Sequence, residues 1–165
     1  MPPPPLPTTL MSRTKPTQSY ALPGFRVCLV REPGLALAAK PALHSAADAA
    51  RLLGEYIGDS DRELFVALLL TVRHRLIGLH TVSVGCLTSS LVHPRECFKP
   101  AILAGAAALI VGHNHPSGDP EPSAEDVSLT RRLAAAGSLL GIDILDHVVV
   151  GEHGRYVSLR ERGVL

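Results

Sequence analysis

A run of apolar residues at positions 64–70, LFVALLL, restricts the possible folds of this chain more than any other feature. The run is too short to cross a membrane and too uniformly apolar for a surface helix, so it predicts a buried strand. A turn at Arg73 and His74 should lead from it into a second strand at 75–83. Further strands are predicted at 107–112, AALIVG, and in the segments GIDILDHVVVG and RYVSL near the end of the chain.

A first helix is predicted before these strands. The sequence from Ser45 to Asp48 is typical of a capping box, in which a serine and an acidic residue satisfy the first backbone N–H groups of a helix. The helix should run to about residue 56. Its apolar side is predicted to consist of Ala47, Leu52, Leu53 and Tyr56.

Two more helices alternate with the predicted strands. One covers 93–105, where Pro100 should kink or shorten the helix. The other runs from Ser123 to about Ala136 and should stop at Gly137. Strands that alternate with helices predict an α/β domain of three layers.

Composition divides the chain into a leading segment and one domain. Proline is concentrated near the start, so residues 1–24 are predicted to be a disordered Pro-rich lead-in. Residues 25–43 should form an N-terminal strand, FRVCLVRE at 25–32, and a linker. Residues 44–165 should form one folded domain, because the chain is 46% hydrophobic and 19% charged. A total of 165 residues is too few for a (β/α)8 barrel, which needs about 200 or more.

Charge and cysteine content limit the partners and the compartment. Residues 1–40 hold five basic side chains and one acidic one, a net charge of +4, and the rest of the chain has −3. Nucleic-acid binding should therefore be weak or absent, since it depends on basic patches. Three cysteines without CxxC spacing predict no disulfide framework. Because no signal peptide or membrane span is apparent, we expect a cytoplasmic protein.

The densest chemistry lies in VGHNHPSGDPEPSAED at 111–126. His113 and His115 are two residues apart at the end of a predicted strand, so both imidazoles should project to the same side. The first turn of the following helix presents Asp126. Two imidazoles and a carboxylate fit a catalytic zinc site with an open fourth position for water. The alternative is purely structural, since Ser123 to Asp126 is also a good capping box.

The pattern H-x-H-P-S-G-D-P-x-P-S-x-x-D resembles the JAMM signature of RadC-like JAB/MPN domains. The flanking segments HPRECFKPAI, SLTRRLAAAGSLLGIDILDHVVVG and SLRERGVL resemble the same family, and the resemblance covers roughly residues 44–165. It implies a cytidine-deaminase-like three-layer sandwich with a mixed β-sheet. It also implies zinc held by His113, His115 and Asp126, and a hydroxyl at Ser123 that stabilises the oxyanion. The implied activity is that of a zinc metallopeptidase-like hydrolase, which cleaves a peptide or isopeptide bond in a peptide or protein substrate.

The resemblance also implies a glutamate that acts as general base. Glu63 opens the apolar strand, as the family's glutamate does, whereas Glu96 lies in the first turn of a predicted helix, where an acid is already favoured. We therefore expect Glu63 to be the base. His147 should be a hydrogen-bonded strand residue and not a fourth ligand. Two other functions stay open, a DNA-repair-associated RadC-like protein and a non-catalytic MPN scaffold.

Overall fold

The computed structural model describes residues 26, 28–30, 41–58, 60–85 and 92–165. In chain order its elements are α1 (Ala46–Ile57), β1 (Leu64–Leu70), β2 (Leu76–Val84), α2 (Pro94–Ala104), β3 (Ala108–Asn114), α3 (Ala124–Leu140), β4 (Asp143–Val150), a short 3-10 turn (Glu152–Gly154) and β5 (Tyr156–Ser158). Of the helices in this part of the chain, none combines the length and the apolar character that a membrane crossing requires.

The five strands form one mixed sheet in the order β2–β1–β3–β4–β5. β1 is antiparallel to both of its neighbours, β2 and β3. β3 and β4 are parallel, with α3 as the crossover helix between them, and β5 is antiparallel to β4. The start of β1 therefore lies at the same edge of the sheet as the end of β3, where Phe65 pairs with His113.

The run 64–70 is a strand buried on both faces, as predicted. Alternate residues enter two apolar clusters, one shared with α2 and α3 and one shared with α1. Each fully buried leucine or phenylalanine contributes roughly 1.5–3 kcal/mol relative to exposure in water. The sheet is therefore the middle layer of three, between α1 on one face and α2 with α3 on the other. This arrangement confirms the predicted α/β class.

The predicted N-terminal strand is wrong for the residues of 25–32 that the structure describes. Arg26 and residues 28–30 belong to no strand, and Leu29 and Val30 are exposed, so these apolar side chains find no sheet to pack against. The other residues of this range, and all of 1–24, lie outside the described residues.

The predicted apolar side of α1 is wrong at Ala47, which is exposed, whereas Ala49 and Ala50 are buried. The helix is oriented by a close contact with the sheet. A Cβ atom on Gly112 would lie 2.3 Å from Cδ1 of Leu53. A glycine in β3 thus lets Leu53, on the inward side of α1, approach the backbone of the sheet.

The predicted end of α3 at Gly137 is also wrong. α3 continues to Leu140, and Gly141 ends it in the left-handed region with φ 69°. Gly137 lies inside the helix because the chain passes close to it. A Cβ there would lie 2.5 Å from the carbonyl oxygen of Ile142, so the glycine provides room for the connection into β4.

α2 continues past Pro100 to Ala104, so the prediction that this proline shortens the helix is wrong. A proline inside a helix removes one hydrogen bond and crowds the preceding turn. Cys97, Phe98 and Ala101 are buried on both sides of Pro100, and this packing outweighs the local cost.

Candidate metal centre

Four side chains singled out from the sequence meet at the edge of the sheet where β3 ends. His113 lies in the last two residues of β3, and His115 follows the strand directly. Because β1 is antiparallel to β3 and pairs Phe65 with His113, Glu63 lies at the same edge, just before β1. α3 then brings Asp126 to this edge in its first turn.

The ligand-type atoms of the two histidines and Asp126 lie next to one another. Nε2 of His113 is 3.0 Å from Nε2 of His115 and 3.2 Å from Oδ1 of Asp126. Nε2 of His115 is 3.6 Å from Oδ2 of Asp126. His113 and Asp126 are buried and the side chain of His115 is 19% exposed, so His115 is the ligand candidate most accessible from solvent.

Glu63 adds a carboxylate to this cluster. One of its oxygens and one ring nitrogen from each of His113 and His115 all lie within 4.8 Å of one another. Glu63 is half-buried. Its carboxylate is thus close enough either to bind the same ion or to contact a water molecule that the ion holds.

Glu96, the rival of Glu63, is engaged on the surface of α2. Its carboxylate accepts a hydrogen bond from Nζ of Lys99 at 2.8 Å and another from Nε of Arg95 at 3.2 Å. These hydrogen bonds, that of Lys99 first, lower the pKa of Glu96. Glu96 therefore takes part in surface ion pairs, and its carboxylate is not among the groups that meet at the end of β3.

Hydrogen bonds orient His115 and Asp126. Nδ1–H of His115 donates to the backbone carbonyl of Asp119 at 2.7 Å, which turns Nε2 of this imidazole towards His113 and Asp126. The backbone N–H and the hydroxyl of Ser123 each donate to Oδ2 of Asp126 at 2.7 Å. Burial alone would raise the pKa of Asp126, but the hydrogen bond and charge of His113 and the hydrogen bonds from Ser123 hold it well below its usual range. Asp126 is therefore an anion.

Ser123 is the N-cap of α3, so it has the structural capping role that was the alternative to a catalytic one. Its Oγ accepts the backbone N–H of Asp126 at 3.1 Å and donates its own hydrogen to the Asp126 carboxylate. A hydroxyl has only one hydrogen to donate. Ser123 could therefore donate to a substrate oxygen only after turning away from Asp126.

Two buried residues lie behind His113. Nδ1 of His113 is 2.8 Å from Nε2 of His147 on β4, and Nδ1 of His147 is 2.6 Å from the hydroxyl oxygen of Thr130 on α3. Burial lowers the pKa of His147 well below its usual value. His147 is thus a hydrogen-bonded strand residue, as predicted. Thr130 was not predicted, although its position one helical turn after Asp126 indicates that it faces the same way.

Asn114 is a further residue that was missed. Its Oδ1 accepts the backbone N–H of Leu64 at 2.8 Å, and its Nδ2 donates to the carbonyl of Arg62 at 3.0 Å. These bonds attach the residues on either side of Glu63 to the end of β3. The available signal was the position of Asn114 between two histidines, which places its side chain on the opposite side of the strand.

The donor atoms fit a zinc ion in both spacing and chemistry. Ligand atoms about 2.0–2.1 Å from a tetrahedral zinc ion are roughly 3.3 Å apart. Here the two Nε2 atoms are 3.0 Å apart, and each lies beside a different oxygen of the Asp126 carboxylate, at 3.2 Å for His113 and 3.6 Å for His115. Two imidazole nitrogens and one carboxylate form a donor set that zinc accepts, with a fourth position left open.

A groove of about 1000 Å³ borders the cluster at His115. One wall is α1, with Gly54 and Gly58, and the other is the connection from β4 to β5, with Gly151 and Arg155. The lining also includes large polar side chains, among them Arg51, Glu152 and Tyr156. A ligand lying in this groove would reach the most exposed histidine of the cluster.

The mixed sheet between α1 and the α2–α3 pair defines an α/β domain of the JAB/MPN type. The family model described as a RadC-like JAB domain matches residues 43–164, and the chain belongs to this family. It is similar to a UPF0758 protein from Desulfitobacterium hafniense (strain DSM 10664 / DCB-2), with 51% identity over 126 residues, 76% of this chain and 55% of the relative.

Two further relatives have the same name and similar coverage. The UPF0758 protein from Rubrobacter xylanophilus is 50% identical over 140 residues, 85% of this chain and 59% of the relative. The UPF0758 protein from Desulforamulus reducens is 47% identical over 139 residues, 81% of this chain and 61% of the relative. The chain thus spans between about half and three-fifths of the length of these curated relatives.

Proposed function

We propose that this chain is a zinc-dependent hydrolase of the JAMM type that cleaves a peptide or isopeptide bond. The observation that carries the proposal is the convergence of His113 Nε2, His115 Nε2 and the Asp126 carboxylate at separations of 3.0–3.6 Å. Membership of the RadC-like JAB family supports it.

In this proposal His113, His115 and Asp126 hold the zinc ion. Zinc supplies Lewis-acid chemistry, lowering the pKa of a bound water to about 7 and polarising the substrate carbonyl. The protein contributes a rigid set of ligands, since Asp126 is held by two hydrogen bonds from Ser123 and His115 by the carbonyl of Asp119. Preorganised ligands of this kind keep the coordination geometry constant during the reaction.

Glu63 is the proposed general base. Its carboxylate lies within 4.8 Å of ring nitrogens of both His113 and His115, so it can take the proton of the attacking water and deliver it to the leaving nitrogen. Asn114 supports this role by attaching the backbone before and after Glu63 to the end of β3.

Ser123 is the proposed donor to the tetrahedral oxygen of the reacting carbonyl. In the present structure its hydroxyl donates to Asp126, so this role requires a rotation of the side chain. The backbone N–H of Ser123 would remain on Oδ2 of Asp126 after that rotation and would keep the ligand oriented. A hydroxyl that turns towards the oxyanion would supply electrostatic stabilisation in the transition state.

The groove beside His115 is the proposed site for the polypeptide substrate. Its volume of about 1000 Å³ gives room for a segment of chain, and Gly54, Gly58 and Gly151 are among the residues that line it. The end of the groove at His115 brings such a chain to the most exposed ligand of the cluster.

The proposal is tested by comparing Glu63→Gln with Glu96→Gln, a matched control at the rival acid. Zinc content is measured by elemental analysis, and hydrolysis with a panel of fluorogenic peptides and isopeptide-linked conjugates. We expect about one zinc per chain in both variants, a rate loss of roughly 10²–10⁴ in Glu63→Gln, and little change in Glu96→Gln.

Two results would contradict the proposal. If Glu63→Gln loses its zinc, Glu63 is a ligand and not the base. If a variant that combines His113→Ala with His115→Ala keeps full zinc occupancy or full activity, the metal site is elsewhere and the JAMM assignment fails.

A further inference from the structure

We propose that His147 and Thr130 are positioning residues that hold the ring of His113 through its Nδ1–H, so that Nε2 of His113 faces the metal site. The inference rests on the proposed function, because it takes Nε2 of His113 as a zinc ligand. Both residues act through the far side of the ring, since their hydrogen bonds lead to Nδ1 of His113 and not to Nε2.

The direction of each hydrogen bond in this series follows from the backbone carbonyl of Asp126, which can only accept. The hydroxyl of Thr130 lies 2.6 Å from the backbone carbonyl oxygen of Asp126, and a carbonyl has no hydrogen, so Thr130 donates there. Its single hydrogen is then used, so the hydroxyl oxygen must accept from Nδ1–H of His147 at 2.6 Å.

This assignment determines the tautomers of both histidines. With its proton on Nδ1, a neutral His147 has a lone pair on Nε2 and accepts the hydrogen on Nδ1 of His113 at 2.8 Å. The ring of His113 is thus held through Nδ1, and its Nε2, 3.2 Å from Asp126, is the atom that faces the metal site. The chain of hydrogen bonds thus begins at the backbone of one proposed ligand and ends on the ring of another.

Thr130 is needed because the group that accepts from His113 is itself an imidazole. A metal-binding histidine usually donates its second ring N–H to a carboxylate, a carbonyl or water, each of which can accept without further adjustment. His147 can accept on Nε2 only when its own proton is on Nδ1. His113, His147 and Thr130 are all fully buried, so their hydrogen bonds do not depend on exchange with bulk solvent.

The first test is a spectroscopic one on metal-free protein. Two-bond 1H–15N correlation spectra distinguish the tautomers of each imidazole, and they are recorded at about pH 8, above the ordinary histidine pKa of about 6.5. We expect His113 and His147 both to be protonated on Nδ1. In Thr130→Val the tautomer of His147 should become mixed, and that of His113 should shift with it, whereas Thr130→Ser should restore both.

The second test measures zinc affinity by competition with a chelator. His147→Leu removes the acceptor for His113 and should weaken zinc binding by roughly 10–100-fold, the range typical for groups that orient a ligand. His147→Gln keeps a carbonyl oxygen at a similar reach and should recover most of the affinity. Circular dichroism on each variant reports whether it folds. If His147→Leu does not fold, the tautomer spectra of the wild type and of Thr130→Ser provide the test.

The outcomes separate this inference from the proposed function. If the spectra show no hydrogen on Nδ1 of His113 in the metal-free wild type, or if folded His147→Leu binds zinc within about threefold of the wild type, the positioning role is wrong. If the tautomers are as expected but the wild type binds no zinc, the series of hydrogen bonds is confirmed but serves no metal site. The proposed function is then wrong.

Discussion

Asp126→Asn isolates the contribution of one charged ligand, because asparagine has nearly the same shape as aspartate. The amide oxygen can still accept the backbone N–H of Ser123, so the N-terminus of α3 should lose about 1 kcal/mol or less. What disappears is an anion 3.2 Å from Nε2 of His113 and 3.6 Å from Nε2 of His115. The variant should therefore lose zinc while keeping its fold.

The size of the loss can be worked out from the number of ligands. Zinc binding by four protein ligands is worth about 10–16 kcal/mol, or roughly 2.5–4 kcal/mol for each ligand. One tenfold step in affinity corresponds to about 1.4 kcal/mol, so loss of Asp126 should weaken binding by roughly 10²–10³-fold. Isothermal titration calorimetry with a competing chelator measures this change, and thermal unfolding without metal checks the fold.

Asp119→Asn is the matched control, with the same chemical change in the loop that precedes α3. The Asp119 side chain is exposed and accepts only the N–H of Glu121 among the bonds described, while its backbone carbonyl, which holds His115, is unchanged. Zinc affinity in Asp119→Asn should equal that of the wild type. An Asp126→Asn protein that binds zinc within about threefold of the control would refute the assignment of Asp126 as a ligand.

Three further predictions concern the rest of the chain. Gly137→Ala should destabilise the fold by about 1–3 kcal/mol in urea unfolding, because its Cβ would lie 2.5 Å from the carbonyl oxygen of Ile142, while Gly54→Ala should stabilise α1 by about 0.5–1 kcal/mol. Burial raises the pKa of the Cys97 thiol to about 12. Iodoacetamide at about pH 8 should therefore leave Cys97 unlabelled in folded protein and label it after denaturation, and mass spectrometry measures the difference. Binding of duplex DNA at physiological salt should be weak and should disappear on removal of residues 1–40, and tight binding without that segment would favour a nucleic-acid function.

Features that depend on neighbouring residues could be predicted from the sequence. Both capping boxes are present, with Ser45 and Ser123 each bonded to the aspartate three residues later. The apolar run at 64–70 is a buried strand, since no surface element tolerates so many consecutive apolar residues. The proximity of His113 to His115 follows from the period of two in a strand.

Features that depend on packing between distant segments could not be predicted. Gly137 is of the residue type that commonly ends a helix, but the passage of Ile142 beside it is a tertiary contact that no local pattern encodes. The same holds for the close approach of Leu53 on α1 to Gly112 on β3. Thr130 and the ring of His147 come together only because α3 packs on β4, so their bond is visible in the structure alone.

The position of Glu63 depends both on its local sequence and on packing between distant segments, and Asn114 is the residue that connects the two. The ligands come from one continuous segment, whereas Glu63 reaches them through the pairing of β1 with β3. Asn114 reinforces that pairing by bonding to Leu64 and Arg62. Displacing the base without disturbing the ligands should therefore be possible.

Asn114→Ala tests this separation of base and ligands. The variant leaves the N–H of Leu64 and the carbonyl of Arg62 without their side-chain partner, and the loss of two hydrogen bonds should cost about 1–3 kcal/mol in urea unfolding. Zinc affinity should stay within about threefold of the wild type, because His113 and His115 keep their own hydrogen bonds, while the rate of hydrolysis should fall at least about tenfold through misplacement of Glu63. Asn114→Asp, which still accepts from Leu64, should have an intermediate rate. Equal losses of zinc affinity and rate in Asn114→Ala would show that the base and the ligands are placed by the same contacts.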